Sequence, residues 1–387
     1  MIIKSNNKVS IQCILISVFL FLAPLEAFLT ADMGTLLKYY QILCILYFCL
    51  FKGRNILSFK INRSMIFLLI FYLILFISLF WSTQMRRGFG YIEAIGLQIV
   101  FILVSFQYEK SEQEVRNNII AFILGNVLLA ILTIKNGQTV GAYASRFSIS
   151  VDDNILDPNN IAALMAIAMI YLVNTTFLNK ILSFLKCLVC ILLAVAILMT
   201  GSRGAIIAIL VGLLYSSILQ GNVIKTLKFI APIILGVAIL IIVNKKFLQM
   251  DFIAALFERI SSDDSGSNRT DIWRAVVRAI KDNPIMGYGI GSSSQIVLKY
   301  YGVSIGSHNT FLTICLEGGA LASIPLILLI ISLVKLRKFS VTGIGVSAGL
   351  LTALVASFFL DTYNKKIFWV PFLIIFLYSS IKKKEYL

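Results

Sequence analysis

Ser307-His308-Asn309-Thr310-Phe311 opens the stretch SHNTFLTICLEGGALASIPLILLIISLV, residues 307–334, and its reading decides the fold. From Asn309 to Val334 the run is apolar apart from Glu317 and a few hydroxyls. It is longer than the ~20 residues a helix needs to cross the hydrocarbon core of a bilayer. The one histidine of the chain, His308, stands at its mouth. Before it lies the only long polar segment, Lys245 to Ser307, which carries a cluster of arginines and many of the acidic residues.

The rest of the chain resembles the run rather than the loop. Of 387 residues 59% are hydrophobic and 13% charged, and the mean hydropathy is +0.92. A soluble domain carries about 25% charged residues, so the chain is an all-α polytopic membrane protein. The net charge of +16 would suggest nucleic acid in a soluble protein. Basic cytoplasmic loops explain much of it here, and no nucleic-acid partner is expected.

Apolar runs predict about 12 transmembrane helices, at 11–30, 35–51, 64–81, 90–107, 118–134, 159–177, 181–199, 204–220, 228–244, 309–334, 341–360 and 367–381. The first run is too long for a signal h-region and reads as a retained span. Lys and Arg concentrate in the loops that share a side with the N-terminus, including Lys52, Arg54, Lys60, Arg63, Lys335, Arg337, Lys338 and Lys382 to Lys384. Both termini are therefore expected in the cytoplasm and the long loop outside. No repeat or linker divides the chain, so residues 1–387 read as a single membrane domain. The six cysteines fall in apolar runs, and Cys187-x-x-Cys190 has no second pair to complete a metal site.

Within the loop, Asn268 to Lys281 has the spacing of an amphipathic helix. Ile272, Trp273, Val276, Val277 and Ile280 are expected on one face, and Arg274, Arg278 and Lys281 on the other. Asn268 suits the N-cap and Asn283-Pro284 the stop. Lying on the membrane surface, such a helix would turn Arg269 inward and Arg274 and Arg278 toward water.

Charged groups at membrane depth mark function more often than structure. Gly201-Ser202-Arg203-Gly204, at the outer end of the eighth span, reads as a snorkelling turn or as an anion site with close backbone approach. His308 is a structural polar group or a general base facing the outside. Glu317, beside Gly318-Gly319, either orients polar partners or pairs structurally. Gly287-Tyr288-Gly289-Ile290-Gly291 lacks the strand and acidic partner of a dinucleotide site and reads as a turn that permits close approach. Asp152-Asp153-Asn154 and Asp157-Pro158-Asn159-Asn160 match no calcium loop; Asp157 with Pro158 reads as a helix start. Arg86, Arg87, Arg146, Arg203 and Arg269 together give the outer surface an excess of guanidinium. Arginine holds phosphate in bidentate fashion, so an anionic lipid-borne substrate such as a lipid pyrophosphate is expected.

Taken in order, Ser202-Arg203-Gly204, Arg269, Trp273, Asn283-Pro284, Gly287-Tyr288-Gly289, His308-Asn309-Thr310-Phe311-Leu312 and Glu317-Gly318-Gly319 resemble the bacterial O-antigen ligase/polymerase family. The resemblance covers about residues 190–335, including the loop 245–308. More weakly it takes in Arg146 and Asp157-Pro158-Asn159. It implies a GT-C-like fold with a long periplasmic loop containing short amphipathic helices. It also implies inverting, metal-independent glycosyl transfer in the bacterial inner membrane, with the active site periplasmic and no cofactor. By the resemblance Arg203 and Arg269 bind the donor pyrophosphate and His308 deprotonates the acceptor hydroxyl. Arg146, Arg86, Tyr288 and Asn309 are the further substrate-binding candidates. The implied partners are undecaprenyl-pyrophosphate-linked donor and acceptor glycans, membrane lipid and a chain-length regulator protein. A polymerase joining repeat units is preferred on length and loop size; a ligase to lipid A–core shares the same motifs. A flippase for the same lipids would instead need midplane polar residues and paired half-helices.

Overall fold

The computed structural model describes residues 10–31, 34–52, 60–108, 110–139, 147–151, 154–177, 179–221, 230–231, 235–236, 269–335 and 340–381. It is mostly helical. The described helices are α1 (Ile11–Leu22), α2 (Leu36–Lys52), α3 (Arg63–Ile77), α4 (Met85–Phe106), α5 (Glu112–Asn136), α6 (Pro158–Val173), α7 (Lys180–Thr200), α8 (Arg203–Gln220), α9 (Arg269–Asp282), α10 (Ser293–Tyr301), α11 (Thr310–Lys335), α12 (Val341–Ser357) and α13 (Lys366–Ser379). 3-10 turns extend α1 to Phe28 and α3 to Trp81. The strands are three antiparallel pairs of two residues, Thr30–Ala31 with Gly34–Thr35, Gln138–Thr139 with Phe147–Ser148, and Ser150–Val151 with Asn154–Ile155.

Seven of the described helical segments are long and apolar enough to cross a membrane, and α2, α6, α12 and α13 are shorter apolar helices. Each expected span coincides with one of these helices except 228–244, which lies largely outside the described residues.

Side-chain caps account for several of the local starts. Ser111 caps α5 with a full capping box to Glu114, and Ser10 caps α1 while its hydroxyl donates to the same Glu114 at 2.6 Å. One carboxylate thus ties the starts of two neighbouring helices together. Helices meet where residues are small, as in lipid, where close backbone approach replaces the hydrophobic effect. A Cβ on Gly125 of α5 would lie 2.1 Å from the Phe21 carbonyl of α1, and one on Gly212 of α8 would lie 2.2 Å from Thr352 of α12.

The apolar surface divides in two. α13 is buried on every side from Ile367 to Tyr378 and forms the centre of the bundle. Leu43, Leu46, Leu50, Phe184, Leu210 and Leu214 are exposed on the outside, the pattern of a lipid-facing perimeter.

α11 breaks at Gly319, whose φ of 59° and ψ of −159° leave helical space. The freed backbone groups are taken by residues 284–289: Tyr288 N–H bonds Leu316 O at 2.9 Å, Gly289 N–H bonds Glu317 O at 2.8 Å, and Ala320 N–H bonds Pro284 O at 2.8 Å. Side chains would not fit there. Gly287, Gly289 and Gly291 all have positive φ, and a Cβ on each would enter the backbone of Glu317, Ser82 and Gly88 respectively. The glycine motif is therefore a wedge between the broken helix and the α3–α4 corner, and what approaches it closely is protein.

α9 corrects one expectation. Its buried face is Ile272, Ala275, Val276 and Ala279, with Trp273 and Ile280 half-buried, whereas Val277 is 40% exposed. The helix docks on α10 and α11 of the protein, and Ile272, Val276 and Ala279 share a small core with Ile296, Val297 and Leu316. The two alanines permit this close docking, and a pattern drawn from large apolar residues alone misses them. Arg274 and Arg278 are exposed as expected, the first paired with Asp271 at 3.0 Å. Asn268, the expected cap, lies outside the described residues.

Candidate functional site

The described residues of the candidate site sit at one end of the bundle, because alternating helices deliver their ends there. α6 and α8 start at that end, α11 and α13 start there, and α12 finishes there.

Arg203 is the first residue of α8. Gly201 ends α7 in the left-handed region (φ 63°), and the Ser202 hydroxyl accepts the Ala205 N–H, so a two-residue turn holds the arginine outward. Its neighbour Gly204 abuts Phe359; a Cβ there would lie 2.9 Å from that side chain. Arg269 opens α9 and is half-buried, and its Nε is buried with no hydrogen-bond partner among the described residues. Burial pushes the Arg269 guanidinium below its usual pKa; Asp157 and Asp361 pull it back up and Arg203 pushes it further down. Arginine nonetheless stays protonated. The lowering is chiefly the cost of burying a cation, and the like charge of Arg203 adds to it.

Asp157 itself caps α6, accepting the Asn159 N–H at 2.9 Å with Pro158 at the first turn, as its sequence suggests. Among the described residues no group of His, Cys, Asp and Glu has the arrangement of a metal site. Asp152 and Asp153 lie outside them.

His308 has φ 52°, the only non-glycine residue with positive φ among those described. That conformation costs ~1–3 kcal/mol unless its surroundings impose it. Here Asp361, between α12 and α13, imposes it. Its Oδ2 accepts the His308 backbone N–H at 2.8 Å, and its Oδ1 accepts the hydroxyls of Thr313 at 2.7 Å and Ser307 at 3.1 Å. Gly306 makes room, since a Cβ there would stand 2.5 Å from Asp361 Oδ2. From the other side Trp273 of α9 donates its indole N–H to Ser307 O at 2.9 Å, tying the histidine turn to the helix that carries Arg269. Asn309 is buried and caps α11 through Oδ1, which accepts the N–H groups of Phe311 and Leu312. Its role is to start the helix.

About two turns deeper, Glu317 is fully buried, accepting the Ser293 N–H at 3.0 Å and the Tyr363 hydroxyl. It locks α10 and the Asp361 loop to the broken helix. Tyr288 is spent on structure too: its hydroxyl donates to Ala279 O and meets the Tyr300 hydroxyl. Arg86 is exposed on the first turn of α4. Its neighbour Arg87 bonds Ser294 and lines a cavity of about 290 Å³ beside Asp361. Arg146 lies outside the described residues.

Residues 188–327 match the family described as O-Antigen ligase. This segment is an O-antigen ligase-type domain. The match begins in α7, takes in Arg203, Arg269, His308 and Glu317, and stops inside α11. It leaves out Asp361, which holds the His308 turn, and Arg87, which lines the cavity beside it. A search among curated proteins returned no match. Sequence reasoning passed over Asp361, whose only signal is an acid directly after the apolar run 341–360; nothing in the sequence links it to a histidine 53 positions earlier.

Proposed function

We propose that this membrane protein of the O-antigen ligase/polymerase family is a polymerase of surface-polysaccharide repeat units. It would work in the bacterial inner membrane, with both termini cytoplasmic and the site at the periplasmic face. The observation that carries the reading is the juxtaposition of Arg203 with half-buried Arg269, whose buried Nε has no hydrogen-bond partner among the described residues, at the same end of the bundle as the His308 turn.

In the reaction, the acceptor sugar hydroxyl attacks the anomeric carbon of an undecaprenyl-pyrophosphate-linked glycan. The new bond is C–O; the bond that breaks joins the anomeric carbon to the pyrophosphate oxygen. The lipid pyrophosphate departs carrying the bonding pair, and attack from the opposite face inverts the configuration. Arg203 and Arg269 neutralise charge growing on that leaving group. His308 takes the proton of the attacking hydroxyl. The rigid turn under Asp361 favours this assignment, because a base must be held in place before it meets its proton.

A transport role would use a broken helix to hold substrate or ions. At Gly319 the freed backbone groups are already bonded to residues 284–289, which favours the enzyme.

Glycan analysis of a deletion strain tests the proposal. Loss of a polymerase leaves single repeats attached to lipid A–core; loss of a ligase leaves none attached and accumulates lipid-linked polymer. His308→Ala on a plasmid should fail to restore long chains at unchanged protein level, and normal chain length in that strain would sink the catalytic reading.

A further inference from the structure

The cavity of about 290 Å³ beside the His308 turn is not needed to hold the pyrophosphate, and its chemistry differs from that of the arginine pair. It lies at the low end of the ~300–1,000 Å³ that small-ligand pockets occupy. Arg87, Tyr91, Ser304, Asp361 and Asn364 face it with Gly306 of the histidine loop and Thr313 of α11.

Its polar groups are incompletely used. The Tyr91 hydroxyl and the Asn364 amide have no hydrogen-bond partner among the described residues, while the Tyr91 ring is fixed edge-on against Tyr363 at 5.9 Å. Asp361 accepts three hydrogen bonds, two at Oδ1 and one at Oδ2. A carboxylate has about four acceptor sites, so Oδ2 retains one. An apolar ligand would strand these groups without hydrogen-bond partners. A second anion would face Asp361. One cation and one carboxylate leave the chamber near neutrality, and hydroxyls, an amide and an open carboxylate lone pair match a ring bearing several hydroxyl groups.

Position narrows the choice further. Asp361 belongs to the chamber, holds the His308 backbone and acts electrostatically on Arg269. A sugar in the chamber therefore borders both the base and the leaving-group site. A separate chamber of about 500 Å³ shares Asn364 and joins apolar side chains such as Leu97, Leu156 and Ile161 to charged groups that include Lys38, Asp157 and Lys366. That chamber suits the lipid-bearing donor, which leaves the hydroxyl-lined one for the other glycan.

We propose that the chamber between α4, α10 and the Asp361 loop is the subsite for the accepting sugar, with Tyr91 and Asn364 as its specificity-determining residues. This rests on the glycosyl-transfer reading above. The same hydroxylated ring can come from the donor glycan, and the experiment separates the two sources.

The probe is the lipid-free glycan released by mild acid from the lipid-linked repeat units of cells that make this protein. Lacking pyrophosphate, it can accept but not donate. With full-length protein in detergent, extension of the radiolabelled glycan is followed while either it or the extracted lipid-linked donor is varied. Tyr91→Phe and Asn364→Ala should each raise KM for the lipid-free glycan about tenfold, a single hydrogen bond's worth. Donor KM should stay within about twofold in Tyr91→Phe, since Tyr91 lines this chamber and not the larger one, whereas Asn364 borders both. Ser304→Trp, at an exposed position, should abolish binding of the lipid-free glycan in calorimetry without lowering Tm. A donor KM shift in Tyr91→Phe, or a KM shift on neither substrate, overturns the proposal, as does undiminished glycan binding by Ser304→Trp. His308→Ala keeps the two ideas apart: it should bind the glycan like wild type and fail only to extend it. Extension by His308→Ala would refute the base while leaving the chamber to its own test.

Discussion

Asp361 accepts the backbone N–H of His308 at 2.8 Å, joining two loops that lie 53 residues apart in the chain. The bond fixes a histidine at φ 52°, where a side chain is held only by its surroundings. The same carboxylate accepts the hydroxyls of Ser307, next to the histidine, and of Thr313 in α11, so it is a main support of the proposed base.

Replacing that carboxylate should therefore disable the site without unfolding the protein. In Asp361→Asn an amide N–H₂ would face donors that now find an acceptor. Turnover should fall about 100-fold, the scale of a 1 Å misplacement of a catalytic group. Thermal melting in detergent and radiolabelled chain extension check it together. Retained activity would show that the turn is set by other contacts.

Lysine should not replace either arginine of the pair. A guanidinium offers two parallel N–H groups to phosphate, whereas an ammonium is a point charge. Arg203→Lys and Arg269→Lys should each lower kcat/KM by at least tenfold, and alanine at either position should abolish chain extension. Full activity of Arg203→Lys would remove the bidentate role.

Gly289 should not tolerate a side chain. Its φ is +85°, and a Cβ would come within 2.4 Å of the Ser82 Cα, a backbone atom that cannot yield cheaply. Gly289→Ala is expected to lose ~1–3 kcal/mol to strain alone, before the clash. A lowered Tm and reduced yield in detergent would register it; wild-type melting would mean that the wedge can move.

Chelator should leave turnover unchanged if Arg203 and Arg269 supply the charge for the departing pyrophosphate. Assays with excess EDTA, with and without added magnesium or manganese, decide this. Activity lost to EDTA and restored by a divalent cation would transfer that role to a metal.

Much of this was legible in the residues themselves. Lipid imposes one-dimensional rules: spans must be apolar and about 20 residues long, so helix positions follow from composition. Local chemistry also reads directly. Asp157-Pro158 starts a helix, Gly201 and Ser202 make the turn before Arg203, and the period of α9 turns Arg269 inward while Arg274 and Arg278 stay exposed. Tertiary structure decided what depends on contact across the bundle. Alanines rather than Val277 form the docking face of α9, because close helix packing selects small residues that a hydrophobicity pattern overlooks. Arg87 rather than Arg86 faces the cavity, since one step along a helix turns a side chain by about 100°. Asp361 became the partner of His308 only when α12 and α13 brought their loop beside the start of α11. A hydrogen bond between residues distant in sequence leaves no periodic trace, so the residue that holds the histidine in place emerged only from the fold.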